Sequence, residues 1–199
     1  MTAGPNTRIG CILLAAGGST RLGRPKQLVT VSGKTLIRRV AETLCETEYS
    51  PAVAVLGSHA SEAAAEIADL PVQTIVNDRW QRGMSTSITA GLRHLIGIEP
   101  DVLAVLITLC DQPLVKAADL AVFGEEFRRT HVPIIAAEYQ GTTGVPALFS
   151  RDLFPRLLEL TGDKGARTLI RGNPQTLRTV PLPDAALDID GPADLSNLP

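Results

Sequence analysis

Aromatic side chains are scarce: Phe, Tyr and Trp together make up 4% of the 199 residues, with a single Trp. A core must therefore be assembled from Leu, Ile, Val and Ala. No apolar run approaches the roughly twenty residues that cross a bilayer, so no membrane segment is expected. The first ten residues lack a basic stretch followed by an apolar one, so no export signal is expected either. The chain has no extended basic run and its net charge is −2. A nucleic-acid surface, which depends on many phosphate contacts, is not expected. Cys11, Cys45 and Cys110 are odd in number and lack metal-ligand spacing. Cys11 and Cys110 lie in apolar runs and read as packed thiols, which suits a reducing, cytoplasmic location. His59, His94 and His131 share no spacing, no Ser/His/Asp set is visible and no Cys has a nearby base, so covalent catalysis is unsupported. Internal repeats, low-complexity stretches and linkers are absent too. With 44% hydrophobic and 20% charged residues, 1–199 reads as one domain.

What is present begins with Leu13-Leu14-Ala15-Ala16-Gly17-Gly18-Ser19-Thr20-Arg21-Leu22-Gly23-Arg24-Pro25-Lys26. The apolar run from Ile9 to Leu14 reads as a buried strand that stops against a loop of small residues. Glycines at 17, 18 and 23 permit positive φ and let a ligand approach backbone N–H groups. Arg21, Arg24 and Lys26 add cations, and the combination points to phosphate. A P-loop is excluded because Arg24-Pro25 follows Gly18 and Gly23 where Lys-Ser/Thr is required. The dinucleotide fingerprint Gly-x-Gly-x-x-Gly is absent as well.

Thr35 is an N-cap candidate for an amphipathic helix in which Leu36, Ile37, Val40 and Leu44 share a face. Pro51 to Leu56 reads as a buried strand, Ser61 to Leu70 as a helix and Val72 to Val76 as a strand. Ser85 is placed to cap a helix reaching about Ile96. Asp101 to Leu109 is the most apolar strand and ends on Cys110-Asp111-Gln112-Pro113. A helix over Leu114 to Thr130 and a strand over Val132 to Ala137 follow. Three strand, loop, helix units indicate an open α/β sheet with right-handed crossovers, whose ligands bind beyond the carboxyl ends of the strands. The loops at 15–26, 57–61 and 111–113 should therefore share one rim. Further on, Gly141 to Phe149 reads as a polar loop feeding a short strand, and Arg151 to Leu160 as a helix. Arg178 to Pro181 is expected to be extended.

Asp111 is the sharpest single residue. A carboxylate ending an apolar strand is costly unless it meets a cation, and beside a phosphate loop it suits Mg²⁺. A helix-capping or turn aspartate before Pro113 is the alternative. Asp188 and Asp190 alternate on an extended piece, so only one faces the site readily; Asp190 is a second metal-ligand candidate or the N-cap of a helix opened by Gly191-Pro192. Gly83, Ser85 and Ser87 put small and hydroxylated residues at a helix start. Gly162 to Arg167 suits a second anionic group, or is a solvated turn.

The sequence from Leu14 to Lys26 resembles the signature loop of nucleotidyltransferases with the glycosyltransferase-A-like, Rossmann-type fold. Within them, Gly83 to Ile88, Cys110 to Pro113, Gly144 to Phe149, Gly162 to Arg167 and Asp188 to Leu195 are similar to the molybdenum cofactor cytidylyltransferases, in order over residues 10 to 196. The resemblance implies a three-layer α/β/α fold with a mostly parallel, mixed sheet. It implies Mg²⁺-dependent transfer of CMP from CTP to the terminal phosphate of the molybdenum-pterin cofactor, with release of pyrophosphate, and a recipient molybdoenzyme as a further partner. Leu14, Ala15, Ala16, Gly17, Gly18, Ser19, Arg21, Gly23, Lys26, Gly57, Gly83, Ser85 and Ser87 would bind the nucleotide. Arg21, Lys26 and Asp111 would be catalytic, Asp111 and Asp190 would hold the metal, and Gln112, Asp163, Lys164 and Arg167 would face the acceptor. Ala16 favours cytosine, because relatives that transfer GMP tend to carry a second glycine there. The same fold with GTP, with a sugar or polyol phosphate acceptor, or as a cofactor-binding chaperone without turnover, remains open on the residues alone.

Overall fold

The computed structural model describes residues 8–18, 25–163, 165–172 and 174–189. Three strands form the centre of a seven-stranded sheet: β1 (Ile9–Ala15), β4 (Ala52–Leu56) and β6 (Ala104–Leu109). Every residue of β1 and β4 is buried, the pattern of strands covered on both faces. Two short strands, β2 (Thr30–Val31) and β3 (Lys34–Thr35), make a separate hairpin after β1. With β5 (Gln73–Val76), β7 (Ile134–Tyr139), β8 (Thr142–Ser150) and β9 (Leu177–Pro181), the large sheet runs β5-β4-β1-β6-β8-β7-β9. β5, β4, β1 and β6 are mutually parallel, β8 is antiparallel to both its neighbours, and β7 and β9 are parallel again.

Period-two alternation sends the residues of β1 into two cores. Cys11 and Leu13 pack with Ile37, Val40 and Leu44 of α1 (Leu36–Cys45), Ala63 of α2 (Ala60–Glu66) and Phe123 of α4 (Ala117–Thr130). Ile12 and Leu14 pack on the other face with Ile88, Leu92 and Leu95 of α3 (Met84–Ile98), Leu157 of α5 (Phe154–Leu158) and Ile170 of α6 (Arg167–Arg171). The result is the expected sheet between two helical layers. No helix among the described residues is long and apolar enough to cross a membrane.

Several elements differ from expectation for local reasons. Gln140 and Gly141 both take positive φ and join β7 to β8 as a two-residue hairpin. The expected polar loop and short strand over 141–149 are therefore one long strand, β8, which enters the sheet between β6 and β7 and makes it mixed. Ser85 does not cap α3: Gly83, at φ 109°, ends a 3₁₀ turn at Trp80–Arg82 and is itself the N-cap, so the helix starts at Met84. α4 starts at Ala117 instead of Leu114 because the Asp119 carboxylate accepts from the Lys116 N–H at 2.9 Å. The expected helix from Arg151 is a 3₁₀ turn at Arg151–Leu153 followed by α5. Thr35 does cap α1, accepting from the Arg38 N–H.

Candidate active site

Because β4, β1 and β6 are adjacent and parallel, their carboxyl ends deliver Gly57, the Ala16-Gly17-Gly18 loop and Cys110-Asp111 to a common rim. A cleft of about 380 Å³ opens there. Leu14, Ala15, Ala16, Gly17 and Gly18 form one wall, Lys26, Cys110 and Asp111 another, and Gly83, Met84 and Ser87 enter from α3. Gly57 stands behind this lining. Its missing side chain is a matter of space, since a Cβ there would lie 2.6 Å from the Ala16 carbonyl oxygen and 2.7 Å from the Trp80 ring. A Cβ on Gly18 would strike the same ring. Gly17 and Gly18 do not take the positive φ expected of them; at Gly18 the requirement is room for the indole.

The charged centre of the cleft is an ion pair. Lys26 follows Pro25 in a 3₁₀ turn, and its Nζ donates to Asp111 Oδ2 at 2.5 Å and reaches the Ile189 carbonyl at 3.4 Å. The Ile189 N–H donates in turn to the Asp111 carbonyl at 3.1 Å, so the 188–189 segment lies along Asp111. Asp111 Oδ1 is buried and meets no hydrogen-bond partner among the described residues. A buried carboxylate oxygen left without a donor is expensive unless something else is meant to meet it. The described residues hold no group of three or more His, Cys, Asp or Glu side chains able to bind a metal by themselves. A single protein carboxylate combined with substrate phosphates and waters is the donor set that Mg²⁺ accepts, so Asp111 fits the ion. Cys110 also lines the cleft, but burial, and secondarily the nearby Asp111 charge, push its thiol up and keep it un-ionised.

A second cavity of about 600 Å³ shares Met84, Leu109 and Asp163 with the first. Its apolar part is Val145, Ile170 and Tyr139, and Arg167, Arg171 and Asp188 supply charge. Burial, with a smaller contribution from the Asp188 charge, raises the Tyr139 phenol, so it is a neutral hydrogen-bonding group at ordinary pH. The Gly162-Asp163 turn is pressed against Gly83, where a Cβ would collide with the Asp163 carboxylate. This contact couples the start of α3 to the boundary between the two cavities.

Of the residues singled out in the sequence, Gln112 goes elsewhere. It is 1% exposed, and its Nε2 donates to the carbonyls of Val145 (3.2 Å) and Ala185 (2.9 Å), bracing β8 and the 3₁₀ turn at Pro183–Ala186 from inside instead of lining either cavity. Ser85 is buried in the first turn of α3 with its hydroxyl unpartnered, also away from the cleft lining. Ser19, Arg21, Gly23, Lys164 and Asp190 lie outside the described residues. Sequence reasoning passed over Trp80, Gln27, Met84 and Tyr139. The lone Trp in a chain so poor in aromatics was the available signal. Gln27 had none: it is a fully buried part of the cleft lining, with Nε2 donating to the Ser58 carbonyl at 2.8 Å.

The architecture is the α/β fold of nucleotidyltransferases. The model of the MobA-like NTP transferase domain matches residues 11–179, and the chain belongs to that family. It is 31% identical to the nicotine blue oxidoreductase of Paenarthrobacter nicotinovorans over 82% of this chain and 81% of that protein. It is 28% identical to a probable molybdenum cofactor guanylyltransferase of Bacillus cereus, over 65% of this chain and 63% of that one. Segments of longer bifunctional proteins match as well, the chain spanning 21% to 34% of their length. Among solved structures, Rv0371c from Mycobacterium tuberculosis superposes with a TM-score of 0.84 at 29% identity, covering 99% of this chain and 98% of that one. A manganese complex of Rv0371c superposes with a TM-score of 0.79 at 26% identity, over 96% and 98% of the two chains.

Proposed function

We propose that the smaller cleft binds CTP with Mg²⁺ and that the chain transfers CMP to the terminal phosphate of a molybdopterin-type cofactor seated in the larger cavity. The observation that carries this reading is the Lys26–Asp111 pair at the meeting point of the glycine loop and β6, beside a cavity that combines two arginines with apolar walls. An acceptor phosphate oxygen attacks the α-phosphorus, the bond from that phosphorus to the bridging oxygen breaks, and pyrophosphate departs in line. Such a reaction needs no protein nucleophile; positioning and charge stabilisation carry it. Backbone N–H groups of the 16–18 loop face the triphosphate. Lys26, released from Asp111, stabilises charge that develops at the α-phosphate. Asp111 would hold the metal through its unpartnered Oδ1, and a bound divalent ion supplies neutralisation of the phosphate oxygens. The manganese complex of Rv0371c supports a divalent ion on this fold. Arg167 and Arg171 are placed to take the acceptor's phosphate, while Tyr139, Val145 and Ile170 suit a flat heterocycle.

The preference for cytosine rests on Ala16, which lines the cleft at the position where the resemblance puts a second glycine in relatives that transfer GMP. The guanylyltransferase relative supports GTP as the competing donor. The oxidoreductase relative supports a redox reaction on a flat heterocycle as a second reading, for which the apolar larger cavity is the relevant feature. Mixing CTP, Mg²⁺ and molybdenum cofactor and following pyrophosphate separates these readings. Sustained release supports the transferase, and nucleotide binding without release removes it. A thermal-shift panel of CTP, GTP, ATP and UTP identifies the base.

A further inference from the structure

Asn77 stands directly behind the cleft and touches no space that a ligand could enter: it is 5% exposed and belongs to neither cavity lining. All of its side-chain hydrogen-bonding capacity except one lone pair is committed. The Arg79 N–H donates to its Oδ1 at 3.0 Å, which fixes the orientation of the amide. The Nδ2 group then faces Thr86 Oγ1 at 2.8 Å and Ser87 Oγ at 3.0 Å, and an amide nitrogen can only donate. Thr86 passes its own hydrogen to the carbonyl of Gly83 or Arg79, at 2.9 and 3.0 Å. Ser87 Oγ accepts from Asn77, and its own hydrogen meets no acceptor among the described residues. Ser87 is also the hydroxyl of this set that lines the cleft.

We infer that Asn77 is a positioning residue that holds Ser87 Oγ by one lone pair and so keeps the Ser87 hydrogen available for donation toward a nucleobase. A base edge that presents an acceptor there, a ring nitrogen or carbonyl oxygen as on cytosine, takes that hydrogen. This inference rests on the reading of the cleft as a nucleotide site. The bias is set from outside the contact surface, because a neighbour that occupies one lone pair of a hydroxyl leaves its hydrogen to the ligand.

The Asn77→Asp substitution keeps the shape but replaces the donor with an acceptor. Ser87 would then turn its hydrogen toward residue 77 and offer the base a lone pair. Trp80 is the single tryptophan and lines the cleft, so its fluorescence reports binding without any acceptor substrate. Titration with CTP and Mg²⁺ should show Kd raised about tenfold or more in Asn77→Asp and about tenfold in Ser87→Ala, the value of one net hydrogen bond. In the Ser87→Ala background, Asn77→Asp should add nothing, since its effect travels through that hydroxyl. If thermal melting shows that Asn77→Asp does not fold, Asn77→Ala replaces it; the expected loss is about threefold to tenfold and again absent beside Ser87→Ala. An unchanged Kd, or a loss of equal size in the Ser87→Ala background, overturns the inference while leaving the nucleotide site intact. Wild-type binding of GTP instead of CTP overturns the proposed donor, and the same cycle is then run with GTP. No response to any of CTP, GTP, ATP and UTP removes the nucleotide reading and this inference together.

Discussion

Lys26 Nζ lies 2.5 Å from Asp111 Oδ2, with the two side chains 18% and 13% exposed, although 85 positions separate them in the chain. The pair neutralises a carboxylate that would otherwise end an apolar strand without a partner. It also stores a lysine one short movement away from the place where a triphosphate would lie. A partly buried pair of this kind costs desolvation that its Coulomb energy offsets only partly, so stability alone is a weak reason for it.

Asp111→Asn should reduce turnover by at least about a hundredfold while the fold survives, because one ligand or charge partner at a phosphoryl centre typically supplies several kcal/mol. Pyrophosphate release and circular dichroism measure the two parts. Near-normal turnover in a folded variant would take Asp111 out of the chemistry.

Lys26→Ala should lower turnover more than nucleotide affinity, the pattern of a contact strengthened in the transition state. It should also lower the melting temperature, since Asp111 loses its partner. An effect confined to affinity would make Lys26 a binding residue only.

Gly57→Ala should weaken nucleotide binding and shift the emission of Trp80, because the added methyl meets the Ala16 carbonyl oxygen and the indole. Overpacking of this type costs about 1–3 kcal/mol. Wild-type emission and affinity in this variant would mean that the ring moves aside freely.

Away from the site, Arg38 grips Asp69 through two hydrogen bonds of 2.7 and 2.9 Å and, by that bonding, lowers the carboxyl from 3.8 to about 2. The stabilisation is therefore present above the ordinary value of 3.8 and is lost as pH falls toward about 2. Asp69→Asn should flatten this part of the acid-denaturation profile. The difference should be small and shrink in high salt, because the Asp69 side chain is 63% exposed. Identical acid limbs at low salt would show that the pair contributes nothing.

The central strands, the amphipathic face of α1 with its Thr35 cap, and the common rim for the loops after β1, β4 and β6 were legible in the sequence. Each depends on short-range patterns: continuous apolar runs, 3.6-residue periodicity and glycine punctuation. The family resemblance was legible for the same reason, since it is carried by short motifs. The first half of β8 was not, because its strand character comes from a Gln140-Gly141 turn and from pairing with β7, and nothing local distinguishes this polar half from a loop. The site divides the same way. That Lys26 and Asp111 were worth attention followed from residue type and place; that they touch follows from parallel strands meeting at one rim. That Gln112 turns inward, that Trp80 fills the space above Gly18 and Gly57, and that Asn77 donates to Ser87 are matters of packing and hydrogen-bond geometry. Such contacts join residues distant in the chain or on different faces, and no pattern along the chain encodes which neighbour a buried side chain will meet.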